Sequence, residues 1–133
     1  MTLQTELETE GATWVAVCRL TELAPERGAA ALLGSEQVAL VRLLDDRVLA
    51  VEQRDPFSGA FVLSRGIVGS RTVEGRDVPT IASPMYKQVF DLETGRCLDA
   101  VGKEPQHLRT WQVLVVDGVV HLAAGDPAQR ESP

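Results

Sequence analysis

The side chains that most often perform chemistry in proteins are scarce among these 133 residues. The sequence has two cysteines, Cys18 and Cys97, and two histidines, His107 and His121. Neither cysteine lies in a Cys-x-x-Cys or Cys-x-His spacing, so no metal site is indicated. We expect reduced cysteines that are buried as small apolar side chains, and histidines with structural or surface roles.

The glycine-rich motifs that bind flavin, dinucleotide or phosphate groups are also absent from the sequence. Multi-electron redox chemistry needs cofactors, because side chains cannot supply it. We therefore expect this chain to contain no catalytic residue, no metal and no cofactor of its own.

Two loops that open with x-Pro and close near glycine interrupt a pattern of short apolar runs. The first covers residues 53–66 and contains Asp55-Pro56-Phe57-Ser58-Gly59, and the second covers residues 82–95 and contains Ser83-Pro84-Met85-Tyr86. Proline fixes φ and glycine permits positive φ, so each loop is expected to be tight and conformationally defined.

The elements that must position these loops are β-strands. Asp117-Gly118 between two β-branched runs is a strong hairpin signal, and Gly34-Ser35 marks a second candidate turn. Predicted strands cover residues 14–18, 29–33, 37–43, 47–52, 111–116 and 119–122. Short strands with frequent turn signals predict an all-β sandwich or barrel.

The composition indicates one folded domain, with 44% hydrophobic and 24% charged residues. We expect a disordered leader at residues 1–11, a domain at 12–124 and a flexible tail at 125–133. The net charge of −6 disfavours nucleic acid and anionic membranes as partners. No apolar run reaches the roughly 18–20 residues of a membrane span, and the acidic start is unlike a signal peptide, so we expect a cytoplasmic protein.

The two loops resemble the cluster-binding boxes of Rieske iron–sulfur domains. The first loop resembles Cys-Pro-His-x-Gly at Pro56 and Gly59. The second resembles Cys-Pro-x-His-Gly-x-x-Phe-Asp-x-x-Thr-Gly and matches it at Pro84, Phe90, Asp91, Thr94 and Gly95.

The cluster ligands of the two boxes are replaced. Asp55 and Phe57 stand at the first Cys and His positions, and Ser83 and Tyr86 stand at the second pair. A Rieske cluster needs two thiolates on one iron and two imidazoles on the other. The loops therefore indicate the fold without the cluster.

This combination is similar to the small subunits of bacterial assimilatory NAD(P)H-dependent nitrite reductases, over about residues 14–122. The resemblance implies a Rieske-like β-sandwich with a small loop subdomain at about residues 54–95. It also implies a large-subunit partner that carries FAD, a [4Fe–4S] cluster and siroheme and reduces nitrite to ammonium in the cytoplasm. This chain would be the accessory subunit, inactive alone. The alternatives are a ferredoxin-type electron carrier and a stand-alone binding module on the same scaffold.

The loops admit two interpretations. As a docking edge for the large subunit, they offer apolar anchors and positive charge at Arg54, Phe57, Arg65, Met85, Tyr86 and Lys87. Alternatively they persist as stabilising turns, and the cations, with Arg71 and Arg76, are simply solvated. We expect Phe57 to fill the space that a cluster would occupy, because an empty cavity is costly. Tyr86 fits either role.

Overall fold

The structure is a computed structural model that describes residues 6–9 and 12–124. Within these residues the chain forms twelve strands, β1 (Glu6–Thr9), β2 (Ala12–Arg19), β3 (Gly28–Leu33), β4 (Glu36–Arg42), β5 (Val48–Glu52), β6 (Ile67–Val73), β7 (Arg76–Ala82), β8 (Val89–Asp91), β9 (Cys97–Asp99), β10 (Thr110–Trp111), β11 (Val113–Val116) and β12 (Val119–Ala124). Two short 3-10 helices cover Leu20–Glu22 and Leu63–Arg65. No helix in this part of the chain is long and apolar enough to cross a membrane.

The strands form three four-stranded antiparallel sheets. The first has the order β1-β2-β12-β11, the second β10-β5-β4-β3 and the third β6-β7-β8-β9. One hydrophobic core lies between the first and second sheets and includes Val15, Leu122 and Leu40. Another lies between the second and third sheets and includes Val41, Ile81 and Phe90. The second sheet is therefore the middle layer.

The sequence of β4 shows why the second sheet takes this place. Val38 and Leu40 belong to the first core, whereas Ala39 and Val41 belong to the second, and all four are at most 1% exposed. A strand buried on both faces needs a continuous apolar run rather than an alternating one. The run Val-Ala-Leu-Val meets that need.

Two predicted hairpins are confirmed by the strand registers. Leu33 pairs with Glu36 across Gly34-Ser35. Val116 pairs with Val119 across Asp117-Gly118, whose φ angles are 51° and 75°. Positive φ at both central residues gives a turn whose twist matches that of the strands.

The predicted loop subdomain contains more regular structure than its sequence pattern indicated. Its two loops are attached to the third sheet, in which β6 and β7 form a long hairpin closed by Glu74-Gly75. Both turn residues have positive φ, 52° and 79°. This Glu-Gly pair is a two-residue turn signal that the sequence analysis did not use.

The structure describes part of the predicted leader and none of the predicted tail. Residues Glu6–Thr9 of the expected disordered leader instead form β1, with Glu6 opposite Val15 of β2. Pairing with β2 satisfies backbone groups, a contribution that a polar composition does not reveal. The other leader residues and the whole tail lie outside the described residues.

Candidate functional site

The first loop is a tight turn closed by its own backbone and by one carboxylate. The Asp55 N–H donates to the Ala60 carbonyl at 2.8 Å, and the Gly59 N–H donates to the Asp55 carbonyl at 2.7 Å. Asp55 Oδ1 accepts from the Phe57 N–H at 2.8 Å. Gly59 has φ of 81°, which explains why this position favours glycine.

The second loop repeats the same turn. The Ser83 N–H donates to the Gln88 carbonyl at 2.9 Å, and the Lys87 N–H donates to the Ser83 carbonyl at 3.1 Å. Ser83 Oγ accepts from the Met85 N–H at 3.2 Å. Lys87 has φ of 66° at the position where the Rieske box has glycine. The loop geometry is thus retained with a different residue at its most constrained position.

A buried hydrogen bond joins the two loops at the positions of the two cluster cysteines. Ser83 Oγ donates to Asp55 Oδ2 at 2.5 Å. The two residues are 1% and 0% exposed. A carboxylate and a hydroxyl thus stand where a Rieske domain has two thiolate ligands of iron, and they hydrogen-bond to each other.

The remaining two ligand positions differ in burial. Phe57 is half-buried against the second core, with its ring centroid 6.1 Å from that of Phe90. This packing supports the expectation that Phe57 fills the space of a cluster, which stays a prediction. Tyr86 is 52% exposed and does not fill the interior. The donor set of Asp55, Phe57, Ser83 and Tyr86 does not fit a Rieske [2Fe–2S] cluster, which requires two thiolates and two imidazoles.

The hydrogen bonds given for the cysteines and histidines involve none of the residues at the four cluster positions. The Cys97 N–H donates to His107 Nδ1 at 2.9 Å, and His121 Nδ1 lies 3.3 Å from the Leu114 carbonyl oxygen. Burial, with a smaller contribution from Glu22, raises the pKa of the Cys18 thiol to about 11. Burial also raises the pKa of Cys97. Among the described residues, no three His, Cys, Asp or Glu side chains form a group that could hold a metal ion.

We predict that the purified protein is colourless and free of stoichiometric iron, because the four positions that would hold the cluster carry the wrong donor atoms. Metal analysis by mass spectrometry and a visible absorption spectrum check this. Stoichiometric iron together with a Rieske absorption band would contradict it and would direct attention to Cys18, Cys97, His107 and His121 as ligands.

Most of the docking candidates are exposed. Met85 and Tyr86 are 45% and 52% exposed, and Arg54, Arg65 and Lys87 are also exposed. Phe57 is the exception because its ring packs inward.

The structure adds two exposed apolar residues that the sequence analysis missed, Phe61 at 52% and Ile67 at 75% exposure. Phe61 lies opposite Arg54 in an isolated bridge. Ile67 lies opposite Ala82, the residue before Ser83. Their positions could be found only from this pairing, since exposed and buried apolar residues look alike in a sequence. We name as the loop face the exposed basic and large apolar residues of the two loops and of the start of β6, which are Arg54, Phe61, Arg65, Ile67, Met85, Tyr86 and Lys87.

The charges of the loop face are positive and unpaired. In the described part of the chain, Arg54, Arg65 and Lys87 take part in no ion pair, whereas Arg47, for example, bonds to both Asp45 and Glu93. The loop face contains three basic residues and no acidic one, whereas the whole chain has a net charge of −6. The loop face is therefore a local basic region on an acidic protein.

Comparisons with known proteins agree with this architecture. The family described as Rieske-like [2Fe-2S] domain matches residues 13–123. The nitrite reductase (NADH) small subunit of Escherichia coli K12 is 38% identical over 110 residues, which is 82% of this chain and 95% of that protein. The chain belongs to the Rieske-like family of nitrite reductase small subunits.

Two further relatives extend the comparison. The solution structure of a nitrite reductase NAD(P)H small subunit from Erwinia carotovora is 36% identical, with a TM-score of 0.64, over 85% of this chain and 82% of that one. The nitrite reductase NAD(P)H large subunit of Klebsiella oxytoca is 41% identical over 107 residues, 80% of this chain but 10% of that protein. A domain of this type therefore also occurs inside a much longer polypeptide.

Proposed function

We propose that this chain is the small, accessory subunit of a cytoplasmic NAD(P)H-dependent nitrite reductase and supports the reduction of nitrite to ammonium by a large subunit. The observation that carries the proposal is similarity along nearly the whole length of the E. coli small subunit. The similar segment within the Klebsiella large subunit supports the same pairing, because that relative holds both parts in one chain. FAD, the [4Fe–4S] cluster and siroheme are expected in the large subunit.

The accessory role follows from the chemistry of the residues at the loops. Reduction of nitrite to ammonium takes six electrons, which must pass through redox centres. Asp55, Phe57, Ser83 and Tyr86 supply no thiolate or imidazole at the cluster positions. The same donor set weighs against the alternative of a ferredoxin-type electron carrier.

The proposed docking surface for the large subunit is the loop face. Aromatic residues, methionine and arginine are enriched at the cores of protein interfaces. The loop face presents Phe61, Tyr86 and Met85 together with cations that form no ion pair among the described residues. Its positive charge would be complemented by an acidic surface on the large subunit near the electron-transfer region. Such complementarity chiefly raises the association rate.

The test is affinity purification of the tagged chain from its host grown on nitrate as nitrogen source. We expect the large subunit to co-purify and the complex to reduce nitrite with NAD(P)H, whereas the small subunit alone is inactive. Recovery of the chain without a large subunit, under conditions where the large subunit is present in the lysate, would instead favour the stand-alone binding module.

A further inference from the structure

Within residues 12–124 the same turn occurs three times. In addition to the turns at Asp55 and Ser83, the Asp91 N–H donates to the Arg96 carbonyl at 2.8 Å and the Gly95 N–H donates to the Asp91 carbonyl at 2.7 Å. Asp91 Oδ1 accepts from the Glu93 N–H at 2.7 Å. All three turns therefore place a side-chain oxygen over the N–H two residues later.

The three turns differ in whether the side chain of the first residue also hydrogen-bonds outside its own turn. The hydrogen bonds of the Asp91 side chain that the structure gives stay within its own turn. The Asp55 and Ser83 side chains instead meet across 28 residues of sequence, in a bond between fully buried groups. The first and second loops are thus coupled directly, and the third turn is not coupled in this way.

We propose that the Asp55–Ser83 hydrogen bond takes over the structural role of the cluster: it clamps the two loops together and fixes the backbone from which the loop face projects. Each clamp residue also holds the backbone of its own loop. The Phe57 N–H donates to Asp55 Oδ1, and the Met85 N–H donates to Ser83 Oγ. Asp55 and Ser83 are therefore positioning residues for docking, a step that rests on the proposed function. The clamp itself does not depend on it.

The chemistry of the pair suits this role. A hydroxyl donating to a carboxylate is among the stronger hydrogen bonds, and 2.5 Å lies in the short range for that class. A buried site strengthens the attraction and makes an unpaired partner costly. The Ser83 hydroxyl acts both as donor to Asp55 and as acceptor from Met85, so the cross-link and the second turn share one atom.

A double-mutant cycle tests the clamp. The variants are Asp55→Ala, Ser83→Ala and the double variant, since asparagine at position 55 could still hydrogen-bond to Ser83. The matched control replaces Asp55→Ala with Asp91→Ala, the same change in the same turn without the cross-link. We expect the stability loss from Ser83→Ala to be much smaller when Asp55→Ala is already present, and the losses from Ser83→Ala and Asp91→Ala to add. Additive losses in both cycles would overturn the clamp.

A local measurement separates the clamp from a general loss of stability. In Ser83→Ala, hydrogen exchange of the Phe57 amide should accelerate by about tenfold or more relative to amides of the first sheet, because the Asp55 carboxylate that accepts from it loses its cross-link. The Met85 amide loses its own acceptor in this variant and therefore does not report on the clamp. In Asp91→Ala the Phe57 amide should be unaffected. If Ser83→Ala does not fold, Ser83→Cys, which retains a weaker donor, enters the same cycle and exchange measurement. Unchanged exchange at the Phe57 amide in a folded Ser83 variant would also overturn the proposal.

The docking consequence has its own readout. Ser83→Ala should slow association with the purified large subunit at high salt, where steering by charge is screened, and Asp91→Ala should not. If the stability cycle shows that Asp55 and Ser83 are coupled but Ser83→Ala associates at the normal rate, the clamp is retained and its role in docking is removed. Failure of the large subunit to bind the unsubstituted chain would instead contradict the proposed function.

Discussion

Replacing Arg65 and Lys87 together with glutamate should slow association with the large subunit by about tenfold or more at low salt, because unpaired charges at an interface act mainly through the rate of encounter. Both side chains are exposed and belong to the loop face. The remaining on-rate should also depend less on salt. Stopped-flow or surface-based kinetics with the two purified subunits, at two ionic strengths, measure both effects. Thermal unfolding of the variant should be nearly unchanged, since exposed charges contribute little to stability.

A matched variant separates the position of the charge from its amount. Arg19 and Lys103 are exposed, lie outside the two loops and form no ion pair within the described residues. Replacing both with glutamate changes the net charge by the same amount, so association should be slowed far less. Equal slowing in the two variants would indicate a general effect of net charge. Unchanged kinetics in the Arg65/Lys87 variant at both salt concentrations would place the interface elsewhere on the sandwich.

Phe57→Ala should lower the free energy of unfolding by about 2–3 kcal/mol, somewhat less than the roughly 3–5 kcal/mol lost when a fully buried phenylalanine is truncated. The reason is that Phe57 is half-buried and its ring packs 6.1 Å, centroid to centroid, from that of the fully buried Phe90. Denaturant unfolding of the isolated chain measures the loss.

Phe61→Ala is the matched control for this loss, because it removes the same ring from a side chain that is 52% exposed. It should cost less than about 1 kcal/mol of stability, as is usual for surface substitutions, and should weaken binding to the large subunit. We therefore expect Phe57→Ala to affect mainly the stability of the fold and Phe61→Ala to affect mainly docking. A Phe57→Ala variant of unchanged stability would show that Phe57 does not fill the interior, and Phe57 would then belong to the loop face.

The site could be predicted from sequence as far as its motifs extend. Pro56, Gly59, Pro84 and Gly95 mark the turns because their backbone preferences are local, and the residue types at positions 55, 57, 83 and 86 exclude Rieske ligation without any coordinates. The contact between Asp55 and Ser83 could not be predicted, since it joins residues 28 apart in sequence. The difference in burial between Phe57 and Phe61 could not be predicted either, because both are phenylalanines in one short segment.

The sequence by itself determined the all-β class, the hairpins at Gly34-Ser35 and Asp117-Gly118, and the loops of a Rieske-like domain without its ligands. These features follow from φ preferences, side-chain alternation and donor chemistry, which act over a few residues. Only the tertiary structure decided that the sheet containing β4 is covered on both faces, that the third sheet carries the second loop, and that a carboxylate and a hydroxyl meet where two cysteines would. The physical reason is that burial and cross-loop hydrogen bonds depend on which distant segments pack together, and local backbone preferences do not specify those partners.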